Sequence, residues 1–366
     1  MDLATILEQY GDGTVLAAGG ALIGALFGFF GQRARFCLRA AVIDFWHQHY
    51  GERLAVWLLA FSSTVIVVQL LLLLHGLDVS GARQLATRGS LSGALLGGLL
   101  FGIGMIMTRG CASRLLVLSA NGNLRALLSG LVFAVAAQAS LSGVLAPVRL
   151  WISGWWTVEP GPARSVLGSI GLGPLSGLLA GLIWFGFAIY LVRRNPSRPM
   201  RLWISAAICG VSVALAWWFT YFVSAQSFEP VAIQGLTFSG PSAEWLMRVL
   251  SPANLKIGFD FGMLPGVFVG SFIGAALGHD LKLEGFKDGY SMTRYIVGAI
   301  LMGFGAMLAG GCAVGAGMSG GAIFASTAWL TLIGMWLGAG VTDKLLDGES
   351  IEQQIFETPA TPVVAP

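Results

Sequence analysis

The chain alternates long apolar blocks with short polar joints. Nine hydrophobic segments stand out, at about residues 14–31, 54–75, 90–108, 125–146, 171–192, 202–223, 261–278, 293–309 and 322–341. Each approaches the roughly twenty apolar residues that carry an α-helix across the hydrocarbon core of a bilayer. No stretch shows the short alternating segments of a membrane β-barrel. The pattern predicts an all-α polytopic membrane protein with about nine transmembrane helices, embedded in the lipid bilayer.

The polar joints set the orientation. The most basic of them, "RRNPSRPMR" (Arg193–Arg201), belongs in the cytoplasm by the positive-inside rule. Because successive spans alternate, that choice also places Arg33, Arg35, Arg39, Arg53, Arg109, Arg114, Arg125, Lys282, Lys287, Arg294 and Lys344 inside. Only Arg83, Arg88, Arg149, Arg164, Arg248 and Lys256 fall outside. The expected topology has the N-terminus outside and the C-terminus in the cytoplasm. Met1 to Gly13 carries Asp2, Glu8 and Asp12 but no Lys or Arg, so it lacks the positive region of a cleavable signal. Of the two long outer loops, Arg149–Ile170 brings Trp151, Trp155 and Trp156 to headgroup level. The other, Ser224–Ile257, is expected to hold a surface helix around Ser242–Leu250. The chain thus reads as a first membrane half (1–192), a second (202–345) and a tail (346–366) with no packing pattern.

Composition agrees with this reading. Hydrophobic residues make up 55% and charged residues 11%, against about a quarter charged in a soluble domain. The net charge of +3 reports loop residues and does not point to nucleic acid.

An internal repeat adds more. "GGLLFGIGMIMTRGCA" (Gly97–Ala112) aligns without gaps on "GAILMGFGAMLAGGCA" (Gly298–Ala313). The copies agree at seven positions: Gly97, Leu100, Gly102, Gly104, Gly110, Cys111 and Ala112 in the first. In the deduced topology the copies run in opposite directions, as in transporters built from inverted repeats around a central site.

Glycine is frequent, and Gly93, Gly97, Gly98 and Gly102 fit close helix packing. "GGCAVGAGMSGG" (Gly310–Gly321) holds too many for a regular helix, so a broken or re-entrant element is expected there. Cys111 and Cys312 occupy the same place in the repeat, and Cys37 in "GQRARFCLRA" likewise follows a hydrophobic segment that ends in glycine. Cys209 lies inside an apolar run and reads as packing. The other three thiols admit two readings: small buried hydrophobes, or soft donors on a path. The arginines beside them, Arg33, Arg35 and Arg39 near Cys37 and Arg109 and Arg114 near Cys111, also admit two. They are cytoplasmic anchors, or they line a vestibule that attracts anions. Around Cys312 glycines replace them and leave backbone amides as donors. The four histidines read as interfacial. No Cys/His zinc spacing and no nucleotide-binding glycine motif in a β-strand context occurs, so neither a metal nor a cofactor is expected.

"GQRARFCLRAAVIDF" (Gly31–Phe45), "GIGMIMTRGCA" (Gly102–Ala112), "FDFGMLPGVFVGSFIGA" (Phe259–Ala275) and "GFGAMLAGGCAVGAGMSGG" (Gly303–Gly321) resemble the YeeE/YedE family of sulfur-transport membrane proteins. The resemblance covers most of the chain. It implies uptake of thiosulfate or a related ion across the bacterial inner membrane, through a pseudo-symmetric fold whose short broken helices meet near mid-membrane. It also implies cysteines that contact the ion in turn, which carry over to Cys37, Cys111 and Cys312. Gly110, Gly311, Arg33, Arg35 and Arg109 complete the candidate path. A small soluble sulfur carrier of the TusA-like type would meet the cytoplasmic face, and some relatives are linked to selenium compounds. The sequence departs from the family in "TRGCASR", where arginines flank Cys111 in place of smaller or polar residues. The leading expectation is a transporter, not an enzyme. The rivals are a membrane sulfurtransferase that takes sulfur as a cysteine persulfide, and a structural subunit whose cysteines only pack.

Overall fold

The computed structural model describes residues 3–227, 229–250, 257–285 and 289–346. The predicted tail lies outside them, apart from its first residue. In chain order the helices begin with α1 (Leu3–Tyr10), α2 (Asp12–Arg33), α3 (Leu38–Trp46), α4 (Glu52–Leu73), α5 (Arg83–Ala86) and α6 (Leu91–Met107). They continue with α7 (Ala112–Ala120), α8 (Leu124–Leu141), α9 (Ala146–Ser153), α10 (Val166–Ser169), α11 (Pro174–Arg193) and α12 (Met200–Ser224). The last are α13 (Ser239–Leu250), α14 (Phe259–Gly278), α15 (Gly289–Ala309), a π-helix π1 (Ala313–Gly320) and α16 (Ser326–Leu346). The β-structure among the described residues is one two-residue pair, Gly89–Ser90 with Thr157–Val158, plus isolated bridges.

The protein is an all-α, multi-pass membrane protein. Eight helical stretches among the described residues are long and apolar enough to cross a bilayer. The predicted ninth segment forms α16, which has the length but less apolarity. Its Thr331, Gly334, Gly338 and Asp343 are buried against protein, where a span has no need to match lipid. α11 shows the opposite composition: Leu175, Leu179, Leu182, Ile183 and Phe187 all stand exposed, as a lipid-facing surface requires. The segment expected at 125–146 is interrupted after Leu141, and α9 starts separately at Ala146. The outer-loop helix starts three residues before the predicted Ser242, and Trp151, Trp155 and Trp156 are exposed.

Small residues fix the packing. Gly20, Gly24 and Gly28 of α2 lie against backbone carbonyls of Phe259, Met263 and Val267, while Gly262, Gly266 and Gly270 of α14 lie against those of Ala17, Ala21 and Ala25. The register rises together on both helices, so they run parallel. α6 meets α16 in the same sense, with Gly98 at Thr331 and Gly102 at Met335. α6 and α15 run antiparallel, since Gly93 approaches Leu308, Gly97 approaches Gly305, and Gly104 approaches Gly298. These directions agree with the alternation deduced from loop charge. They also set the two repeat copies in opposite senses.

Candidate functional site

Each of the three candidate cysteines sits at a construction repeated three times. A long helix ends as one residue takes a left-handed conformation: Arg35 (φ 52°), Arg109 (φ 56°) or Gly310 (φ 79°). The next amide reaches back five residues to close the helix, from Phe36 to Gly31 O at 2.9 Å, Gly110 to Met105 O at 3.1 Å, and Gly311 to Ala306 O at 2.9 Å. This is the Schellman termination. Cysteine follows and serves as N-cap of a short helix, namely α3 after Cys37, α7 after Cys111 and π1 after Cys312. Before Cys111 the turn is pinned further, as Thr108 Oγ1 donates to Gly104 O and Gly110 O at 2.8 and 2.9 Å. The glycine-rich stretch is thus broken from α15 at residues 310–312, as expected, and continues as a short π-helix. Burial on all sides and the wider π turn hold its glycines in place.

At an N-cap the side chain faces amides that have no partner within the helix. Cys312 Sγ accepts from the Gly315 amide at 3.5 Å and the Phe238 amide at 3.4 Å. The amides of Ala40 and Arg114 hold the equivalent place at Cys37 and Cys111. There they fall short of a hydrogen bond. The Cys37 and Cys111 side chains lie near each other, although 74 positions separate them in the chain. Cys111 also meets Ser113 Oγ at 3.3 Å. The Arg114 guanidinium faces both thiols and donates to Gln32 Oε1 at 3.3 Å. Cys111 and Cys312 are buried and Cys37 is partly exposed. Cys209 is buried within α12, away from any helix start.

Two cavities open at opposite ends of α14, whose 20 residues span about 30 Å. The first, of about 460 Å³, is lined by Arg83, Arg149, Glu244, Asp260, Gly310 and Gly315 among others, so its wall includes the residues flanking Cys312. Arg83 donates to Gly310 O at 3.1 Å. Burial lowers the pKa of both Arg149 and Arg164, and the charge of Arg83 lowers that of Arg164 further. The second cavity, of about 340 Å³, is lined by Arg33, Arg35, Arg198 and Arg201 with Glu52 and Asp280, beside the turn that leads to Cys37.

The candidate residues thus fall into three places. Cys37 and Cys111 lie near each other, Cys312 is buried behind the wall of the first cavity, and Arg33 and Arg35 line the second. Gly110 and Gly311 form the turns, and their amides are already engaged. Arg109 is exposed and supplies the left-handed position that Gly310 fills in the other copy. A non-glycine residue there costs on the order of 1 kcal/mol. Arg109→Gly is therefore expected to raise stability by about that amount and leave transport within about twofold, read from the thermal midpoint and from uptake. A larger loss of uptake would assign the guanidinium to the path.

Arg114, one of the arginines that the sequence offers as anchor or vestibule lining, joins the site, as do Gln32, Arg83 and Arg149, which sequence alone does not single out. Gln32 carries a signal, a polar residue at the end of an apolar run. The histidines read as interfacial in the sequence, but His47 Nε2 lies 2.6 Å from Asp343 Oδ2 and ties the end of α3 to α16.

Antiparallel helix repeats, a thiol at each break and a polar mouth at either end define the chain as a polytopic membrane protein of transporter architecture. It belongs to the family described as Sulphur transport, whose pattern matches residues 33–341. It is 28% identical over 335 residues to a thiosulfate transporter, TsuA, of Spirochaeta thermophila, covering 87% of this chain and 96% of the relative. It is 24% identical over 349 residues to TsuA of Escherichia coli, covering 89% and 94%. A shorter match, 37% over 84 residues, covers 22% of this chain and 21% of a probable transporter, YedE, of Escherichia coli.

Proposed function

We propose that the protein imports thiosulfate, or a closely related sulfur-bearing anion, across the bacterial inner membrane, with its N-terminus outside and its C-terminus in the cytoplasm. The observation that carries this reading is the threefold placement of a thiol at the N-cap of a short helix. Helix N-termini favour anions through free amides and the macrodipole, and the thiol adds a weak, soft donor. The ion enters at the Arg83 cavity, meets Cys312, passes to the Cys37–Cys111 pair beside Arg114, and leaves by the Arg33 cavity. Each station offers few partners, which suits conduction, where binding must allow both entry and release. A TusA-like soluble sulfur carrier would receive the ion at the Arg33 and Arg35 face.

Uptake of radiolabelled thiosulfate into proteoliposomes tests this directly. Saturable uptake, competed by unlabelled thiosulfate and weakly by sulfate, is expected. Uptake no greater than in empty liposomes sinks the proposal. Arg83→Gln is expected to raise KM by about three- to tenfold, with the difference shrinking at high salt as screening removes steering.

The nearness of Cys37 and Cys111 favours a second reading, a sulfurtransferase. A thiolate attacks the outer sulfur of thiosulfate, the S–S bond breaks, sulfite departs with the electron pair, and a cysteine persulfide remains. Protein purified after exposure to thiosulfate would then gain the mass of one sulfur atom on Cys37 or Cys111. The transport reading expects none.

A further inference from the structure

Between the Cys312 station and the Cys37–Cys111 pair stands an aromatic trio that no step above uses. Phe27, on α2, is 1% exposed. Its ring centroid lies 5.4 Å from that of Phe238 and 6.2 Å from that of Phe36, the latter edge-on at 76°. Phe238 is the residue whose amide donates to Cys312 Sγ at 3.4 Å. Phe36 is the residue bonded to Cys37. One phenyl ring therefore touches the immediate neighbour of a thiol on each side. Phe36 and Phe238 are themselves 4% and 1% exposed.

Each station offers an anion polar partners: amides and a thiol at Cys312, and thiols with Arg114 and Gln32 at the inner pair. The trio offers none. A charge without partners in such a place is costly, and hydrophobic constrictions control passage by excluding water. The cost of this gap follows how tightly the ion holds its hydration shell. Sulfate and thiosulfate share charge and tetrahedral form, but thiosulfate has one oxygen replaced by a larger, softer and less hydrated sulfur. The positive edges of phenyl rings further suit a polarisable anionic atom.

We infer that Phe27 is a specificity-determining residue, a dry ring that a sulfur-tipped anion can pass and a fully hydrated oxyanion cannot. The inference rests on the transport reading, and its test is arranged to be judged apart from it. A membrane-impermeant, sulfonate-bearing thiol reagent is applied to oriented proteoliposomes from the face that carries Arg83. Peptide mass spectrometry then follows modification of Cys111.

Slow labelling of Cys111 in the wild-type protein is expected, rising about tenfold or more in Phe27→Ala. In parallel, sulfate should compete with thiosulfate uptake about tenfold more effectively in Phe27→Ala, while Phe27→Leu stays near wild type. Unchanged Cys111 labelling in a monodisperse Phe27→Ala protein overturns the inference, as does rapid labelling in the wild type. If Phe27→Ala does not survive purification, Phe27→Val carries the same test, with a smaller rise expected and no rise overturning it. The labelling does not depend on thiosulfate uptake, so a protein that takes up no thiosulfate refutes the transport reading and still leaves Phe27 to be judged.

Discussion

Replacing Cys111 with alanine is expected to cut thiosulfate uptake by about ten- to a hundredfold while the protein stays folded. Cys111 is fully buried, lies near Cys37, and sits 3.3 Å from Ser113 Oγ beside Arg114. Loss of one donor to a charged ligand in such a setting is worth about 1.5–3 kcal/mol, which gives the expected factor. The cavity left by a single sulfur costs far less stability than truncating a leucine. Cys111→Ser separates two explanations, since a hydroxyl restores a donor without the soft sulfur. It is expected to recover less than half of the loss. Cys209→Ala, equally buried but within an ordinary helix, should stay within about twofold of wild type. Initial uptake at matched protein density, with size-exclusion profiles as the folding control, decides the matter. A Cys111→Ala protein that transports normally would leave its cysteine with packing alone.

The second large effect concerns assembly. Gly24→Leu should leave little monodisperse protein, because even a Cβ at this position would collide with the Met263 carbonyl of α14. The α2–α14 pair is built on six such glycines facing each other's backbone, so neither helix can retreat without separating the others. Overpacking costs about 1–3 kcal/mol where a core can adjust, and a backbone carbonyl adjusts less than a side chain. In lipid the close approach is itself the source of helix affinity, because no hydrophobic force drives one apolar helix onto another. Gly186→Leu is the matched control: its residue is exposed on α11, and no atom lies within 4 Å of the place a Cβ would take. It should purify as wild type. Similar yield and thermal midpoint for both variants would show that the α2–α14 seam does not hold the fold together.

Much of this architecture is legible in the sequence because bilayer thickness leaves few alternatives. Apolar block length locates the long helices, and loop charge gives a set of directions that the glycine contacts match. The repeat exposes the equivalence of Cys111 and Cys312, since both copies keep G-x-G-x5-GCA. What stays hidden depends on distance along the chain. Nothing near Cys37 announces that Cys111 lies against it, and nothing in "ALFGFF" marks Phe27 as different from a phenylalanine facing lipid. Glycine content predicts the break within Gly310–Gly321 but not the π-helix that follows it, because propensity assumes an exposed backbone and this one is enclosed. Arg109 reads as an anchor or a ligand, yet it occupies a left-handed turn that its own side chain does nothing to create.

The three short helices also bear on how the chain is made. Nine residues of α7 reach about 14 Å, half the hydrocarbon thickness, and π1 is shorter still. A segment of that length cannot be inserted as an independent span, because one of its ends would expose unpaired amides or carbonyls to lipid. Those ends are satisfied only after the long helices have closed around them. Biogenesis is therefore expected to run in two stages, with long spans threaded first and the cysteine-bearing half-helices docked last, so the route through the molecule is completed at the final moment of assembly.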